Sequence, residues 1–282
     1  MPLTNGIYFA EFTPRQEGRI TTLVYIHGAG GNSLFWPGQL RRFPNHHTIS
    51  LDLPGHGKSE PPGRQSILHY SQITESWLAD LSLKQTILIG YGLGGSIAAQ
   101  IAVNYPDLVQ GLVLINTLVQ HYIPQTLINN LTNPVTAQNS IKSYIQKTVG
   151  LRASNRNHST FQQSLQSTRP AVLAGDLMAQ NEKIFCKLAT QITQPVCIIE
   201  NKSAKDQLTP EQNHAIRQLN NAEIIFSEQD SHLLPIDETK WITSQIHSFL
   251  CNIKLQQALQ TNSGYYLDFD INEEGNYAIR TD

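Results

Sequence analysis

The amino-acid sequence predicts an α/β protein: a mostly parallel central sheet with helices on both faces, interrupted once by a helical insertion. Two observations carry this expectation. Short apolar runs rich in β-branched residues recur along the chain. Each is continuous enough to be buried on both faces, as parallel strands are, and helical stretches separate most of them. The alternation then lapses over one long segment and resumes, which reads as an insertion into a continuing sheet.

The strand-like runs are residues 21–26, 48–52, 86–90, 111–116, 196–200 and 222–226. Residues 6–12 are expected to add an antiparallel N-terminal ribbon. Helices are expected at 70–83 and 96–105. Between Leu118 and about Asn181 strand signals are absent and helical ones recur, the pattern of a helical lid. The expected organisation is a core at 1–117 and 188–252, a cap at 118–187 and a C-terminal extension at 253–282. Up to Asn181 the cap is basic: Lys142, Lys147, Arg152, Arg156 and Arg169 stand against Asp176 alone, which reads as a solvated face. In the extension, Leu267, Phe269 and Ile271 alternate with Tyr266, Asp268 and Asp270. A turn-like segment and Tyr277–Ile279 follow, the outline of a β-hairpin and a candidate protein contact. Asp268, Asp270 and Asn272 echo a calcium loop, but its glycine is displaced to Gly275 and no closing glutamate follows.

Composition narrows the function classes. The chain has 282 residues, 40% of them hydrophobic, enough for a core. A net charge of −2 argues against nucleic acid or an anionic membrane as partner. Cys186, Cys197 and Cys251 are odd in number and lack metal-ligand spacing, so they read as reduced thiols. The first fifteen residues have no basic start followed by an apolar stretch, and no apolar run is long enough to span a membrane. The expectation is a soluble cytoplasmic protein without metal or cofactor.

Three glycine turns follow three strands, and each imitates a nucleotide motif. Gly90, Gly92 and Gly95 fit a dinucleotide fingerprint, but the next strand ends at Asn116 and Thr117, where an acid is wanted for the ribose. Gly28, Gly30 and Gly31 precede a strand that does end in Asp52, yet the third glycine of the pattern is missing. Gly57, Lys58 and Ser59 end like a P-loop whose first glycine is replaced by Asp52.

One resemblance accounts for all three turns. The run His27, Gly28, Ala29, Gly30, Gly31, Asn32 resembles the HG-x loop of the α/β-hydrolase-fold superfamily. Asp52, Gly55, Gly57 and Ser59 match its D-x-x-G-x-G-x-S turn. The run from Leu88 to Gly95 is similar to its nucleophile elbow, G-x-S-x-G-G, with Gly92 where the serine stands. Asp206, in the run Lys205 to Pro210, resembles the acid-bearing loop, and His232 the histidine loop. Five motifs in the family's order cover roughly residues 5 to 250. The resemblance implies that Gly92, Asp206 and His232 hold the nucleophile, acid and base positions, and that the Ala29 and Leu93 amides form the oxyanion hole. His27, Gly28 and Tyr91 would complete the ligand-binding turns. Glu200, at a strand end, is a second candidate acid, because the Asp206 loop is longer than the family's and lacks its glycine.

Gly92 supplies no side chain, so the ordinary covalent mechanism has no nucleophile. Three functions follow. The first is a non-hydrolytic protein binding a small, partly apolar ligand between core and lid. The second is an esterase- or lactonase-like serine hydrolase whose nucleophile was replaced by mutation. The third is an enzyme using His232 and Asp206 as a general-base pair without a covalent intermediate.

Overall fold

The computed structural model describes residues 3–14, 21–119, 123–149, 156–219, 221–261, 269–271 and 277–279. The strands are β1 (Leu3–Thr4), β2 (Ile7–Phe12), β3 (Thr22–Ile26), β4 (His47–Leu51), β5 (Thr86–Tyr91), β6 (Val109–Ile115), β7 (Val196–Glu200), β8 (Ala222–Phe226), β9 (Phe269–Ile271) and β10 (Tyr277–Ile279). The helices are α1 (Gly38–Arg41), α2 (Ile67–Asp80), α3 (Leu93–Asn104), α4 (Gln125–Thr132), α5 (Ala137–Val149), α6 (Arg156–Ser167), α7 (Pro170–Gln180), α8 (Phe185–Leu188), α9 (Ala204–Gln207), α10 (Pro210–Gln218), α11 (Leu234–Asp237) and α12 (Thr239–Thr261).

Strands β1 to β8 form one sheet in the order β1-β2-β4-β3-β5-β6-β7-β8. β2 pairs antiparallel with β4, while β3 through β8 pair parallel. The central strands β3, β5, β6 and β7 are buried almost throughout, as their continuous apolar runs demand. Helices α4 to α8 lie between β6 and β7, where the strand rhythm lapses in the sequence.

Two helices start earlier than their apolar periodicity suggests. Ser66 caps α2 by accepting the His69 N–H, so the helix begins at Ile67. It ends at Asp80, and Ser82 adopts a left-handed φ of 54°. Helix α3 begins at Leu93 because Gly94 and Gly95 belong to its first turn.

Tertiary contacts divide the chain into units Met1–Ile246 and His247–Asp282. In the second, β9 and β10 pair antiparallel with Tyr277 opposite Ile271. Arg152, and Asp268, Asn272 and Gly275 of the calcium-loop echo, lie outside the described residues. Among the described residues no helix is long and apolar enough to cross a membrane.

Candidate ligand site

Loops at the C-terminal ends of the parallel strands build the site, where open α/β sheets place their ligands. After β3 comes His27, fully buried. Its Nε2 accepts the Leu53 N–H at 3.0 Å, so Nδ1 carries the proton and donates to the Gly28 carbonyl at 2.8 Å. Burial, reinforced by the nearby His56, pushes its pKa down to about 3, and the ring stays neutral. The Gly31 N–H closes the turn onto the Gly28 carbonyl at 3.0 Å. Among the described residues the Ala29 N–H donates to no protein group, and Ala29 lines a cavity.

After β5 comes the sharp turn into α3. Gly92 caps that helix with φ 54° and ψ −113°, a left-handed φ natural to glycine. Its N–H bonds the Ile115 carbonyl at 2.9 Å, and its own carbonyl accepts from Gly95 and Ser96. The neighbouring glycines serve close packing instead. A Cβ on Gly90 would meet the Gly94 backbone at 2.4 Å, and one on Gly94 would meet the Ile26 carbonyl at 2.2 Å. A Cβ on Gly92 would meet nothing nearer than the Asn116 carbonyl at 4.0 Å. The turn therefore has room for a side chain that the sequence does not supply. Leu93, in the first turn of α3, presents an N–H that helix geometry leaves without an intrahelical partner.

After β8 comes His232, exposed and lining the same cavity as Gly92. Its backbone is held from the elbow side. The Tyr91 hydroxyl and the Asn116 side-chain amide both donate to the His232 carbonyl, the second at 3.0 Å. Tyr91 in turn stacks on Phe35 with ring centroids 4.6 Å apart, and burial pushes its phenol pKa far up, so it acts as a neutral donor. Asn116 is a site residue that sequence reasoning noticed only as a missing ribose acid. It carries a left-handed φ of 47°, and its side-chain oxygen is buried without a hydrogen-bond partner among the described residues.

The structure does not bring Asp206 to the cavity wall. It lies exposed on α9, its N–H bonded to the Ser203 carbonyl. The extra residues before it form this short helix rather than a tight loop. Asp230 interacts electrostatically with His232; its pKa is lowered chiefly by hydrogen bonds from Ser203 and also by His232. Glu200 ends β7 in full burial. Its Oε1 accepts the Leu118 N–H at 2.7 Å, anchoring the chain as it leaves β6, and burial raises its pKa to about 7. The acid of the D-x-x-G-x-G-x-S turn is likewise structural. Asp52 accepts the Ser33 and Lys58 N–H groups at 2.6 and 2.8 Å, leaving no carboxylate free for a ribose.

These groups surround a cavity of about 360 Å³ between the sheet edge and the inserted helices. Gly28, Ala29, Gly92 and Leu93 form its floor, Asn116, Asn201 and His232 one side, and Val119, Leu127, Tyr144 and Phe161 an apolar roof. Lys147 adds one cation. Among the described residues no serine or cysteine lines it. Ser96 is buried within α3, and the Cys197 thiol is buried in β7 with its pKa pushed up to about 12. The geometry can hold a carbonyl or carboxylate oxygen on backbone amides; the elbow residue itself has no atom to attack it.

Residues 21–226 match the alpha/beta hydrolase fold family, and the chain belongs to it. A pimeloyl-[acyl-carrier protein] methyl ester esterase of Wigglesworthia glossinidia brevipalpis is 41% identical over 96 residues, 34% of this chain and 36% of that protein. Protein ABHD8 of Mus musculus is 23% identical over 243 residues, 81% of this chain and 54% of that protein. The chain thus spans about a third of the length of the first of these relatives and about half of the second. Among solved structures, the enol-lactonase from Burkholderia xenovorans LB400 superposes with a TM-score of 0.74 at 16% identity, covering 87% of this chain and 96% of that one. A thermophilic esterase from Thermogutta terrifontis gives a TM-score of 0.72 at 18% identity, covering 88% and 93%. At these identities the likeness is one of fold.

Proposed function

We propose that this protein binds a small, partly apolar carbonyl or carboxylate compound in the cavity between the core and the inserted helices, without serine-hydrolase turnover. One observation carries the reading. The elbow backbone, with its left-handed φ and the adjacent Leu93 amide, is intact around a residue with no side chain. The Ala29 and Leu93 N–H groups, on two residues that line the same cavity, would supply two donors for one oxygen. The apolar roof suits a short hydrocarbon chain. Esters and lactones, the compounds named for its relatives, share the acyl oxygen such donors hold. We place the protein in the cytoplasm, consistent with Cys186, Cys197 and Cys251 being free thiols.

In the general-base alternative the carboxylate beside His232 would be Asp230 rather than Asp206, which lies exposed on α9. The replaced-nucleophile alternative gains from the open space over Gly92, which would accept a serine.

The test is an amide-resolved NMR titration with straight-chain C4 to C8 carboxylates, run beside a turnover assay on the matching esters and lactones. The expected result is saturable shifts at Ala29 and Leu93, lost when Leu127→Trp fills the cavity, and no turnover. Turnover that survives repurification and disappears in His232→Ala would replace this reading with the general-base one.

A further inference from the structure

The loop that carries Ala29 is gripped at the next residue by the inserted helices. The Gly30 N–H donates to Asp176 Oδ2 on α7 at 2.8 Å. The Gly30 carbonyl accepts from the Thr168 hydroxyl, at the α6–α7 junction, at 2.9 Å. The two peptide units that flank the Gly30 Cα are thus each held by the insertion rather than by the core, one through the Gly30 N–H and the other through the Gly30 carbonyl. Sterics agree. Gly30 has φ 68°, and a Cβ there would meet Leu165 of α6 at 2.5 Å and Leu173 of α7 at 3.1 Å. The apex of the loop is wedged between the two helices.

Asp176 is itself held in place. Its Oδ2 also meets His56 Nε2 at 2.7 Å, and its Oδ1 accepts the Tyr70 hydroxyl at 2.5 Å. The Asp176 and His56 side chains are fully buried. Burial alone would lower the His56 pKa, but the adjacent Asp176 charge and hydrogen bond raise it. Both ring nitrogens face acceptors, Nε2 the Asp176 carboxylate and Nδ1 the Pro54 carbonyl at 3.1 Å, an arrangement that suits an imidazolium beside a carboxylate, neutral overall. That neutrality matters for an anion-binding loop: a lone buried carboxylate behind Gly30 would oppose negative charge on the ligand, and the imidazolium cancels it. Such a network is far more than α7 needs to pack, since Leu173, Ala174 and Leu177 already bury its apolar face.

We infer that Asp176 and Thr168 are positioning residues: they fix the Gly30 peptide and so aim the neighbouring Ala29 N–H into the cavity. The inserted helices therefore set the oxyanion donor as well as the roof, and any shift of α6–α7 is transmitted to it. The inference rests on the oxyanion reading of Ala29 made above.

The experiment uses the full chain carrying Gly92→Ser as a reporter, alone and combined with Asp176→Leu, Thr168→Val or Leu177→Ala. The last removes buried volume from α7 without touching the loop. Two quantities are read: amide hydrogen exchange at Gly30 by NMR, and the fluorophosphonate reaction resolved into inactivation rate and binding constant. Asp176→Leu and Thr168→Val are expected to speed exchange at the Gly30 amide at least tenfold beyond the Leu177→Ala control. They should also cut the inactivation rate by about 10- to 1,000-fold, the range in which one lost oxyanion donor lies, with little change in the binding constant. Exchange and inactivation matching the Leu177→Ala control would overturn the inference. Should Asp176→Leu not fold, Thr168→Val carries the decision. Should the Gly92→Ser reporter itself not label, the oxyanion reading fails, while the exchange arm still decides whether the insertion holds the loop.

Discussion

Replacing Glu200 with glutamine tests whether a buried, unneutralised carboxyl sits at the root of the insertion. Glu200 is 1% exposed, and burial raises its pKa from 4.5 to about 7 despite hydrogen bonds from the backbone of Thr117, Leu118 and Val119. A difference of about 2.5 units, at about 1.36 kcal/mol each, corresponds to roughly 3 kcal/mol. The folded protein binds this proton more tightly than the unfolded chain does. The contribution is therefore fully present below pH 4.5 and lost as pH rises through about 7. Glutamine cannot ionise. It keeps an oxygen for the Leu118 N–H, and any fixed packing offset cancels when one pH is subtracted from another. Urea unfolding of both proteins between pH 4 and pH 8.5 should show the stability of Glu200→Gln relative to wild type rising by about 3 kcal/mol across that range. A difference that stays flat would mean that Glu200 is solvated or paired, and the burial argument would fail.

Four further outcomes follow from the site. Gly92→Ser should cost about 1–3 kcal/mol, because the loss is backbone strain at φ 54° and not a clash; chemical denaturation reads it directly. Gly90→Ala and Gly94→Ala should cost more than Gly92→Ala in the same assay, since their Cβ atoms would sit within 2.4 Å of backbone. The His56–Asp176 pair should make stability fall as pH rises through the elevated His56 pKa, and His56→Leu should remove that dependence while costing on the order of 3–5 kcal/mol by stranding the carboxylate. His27 acts oppositely: its pKa of about 3 makes stability fall as pH drops below about 6.5, and an imidazole NMR titration should find it neutral throughout.

Much of the fold was legible because its signals are local. Short continuous apolar runs bounded by turn signals read as strands, and those at Val196–Glu200 and Ala222–Phe226 occur at the residues expected, the first buried throughout and the second, at the sheet edge, only partly covered. Several glycines of the turns were legible for the same reason: Gly31, Gly57 and Gly90 are required by contacts within a few residues and Gly28 and Gly94 by the adjoining strand, whereas Gly30 answers to Leu165 and Leu173 of the insertion. Gly92 stood out because the resembled motif has a serine there, and it is the one glycine of Gly90, Gly92, Gly94 and Gly95 where an added Cβ meets no close atom. What depends on tertiary placement was not legible. The motif around Asp206 resembles an acid-bearing loop, but its extra residues coil into α9 and leave the carboxylate exposed. Asn116 and Tyr91 hold the His232 carbonyl through contacts more than a hundred residues apart in sequence. Asp176 did leave a trace. It is a lone acid within the apolar run of α7, where a charge must find a partner, although nothing in the sequence names His56, Tyr70 and Gly30 as those partners.

The central claim is an oxyanion-type cavity with no nucleophile at its elbow. Intact-mass analysis after incubation with a fluorophosphonate tests it most directly, comparing the protein as it stands with Gly92→Ser. The unsubstituted protein is predicted to remain unmodified, and Gly92→Ser to gain one adduct mapping to residue 92. A stoichiometric adduct on any cavity residue of the unsubstituted protein would contradict the claim.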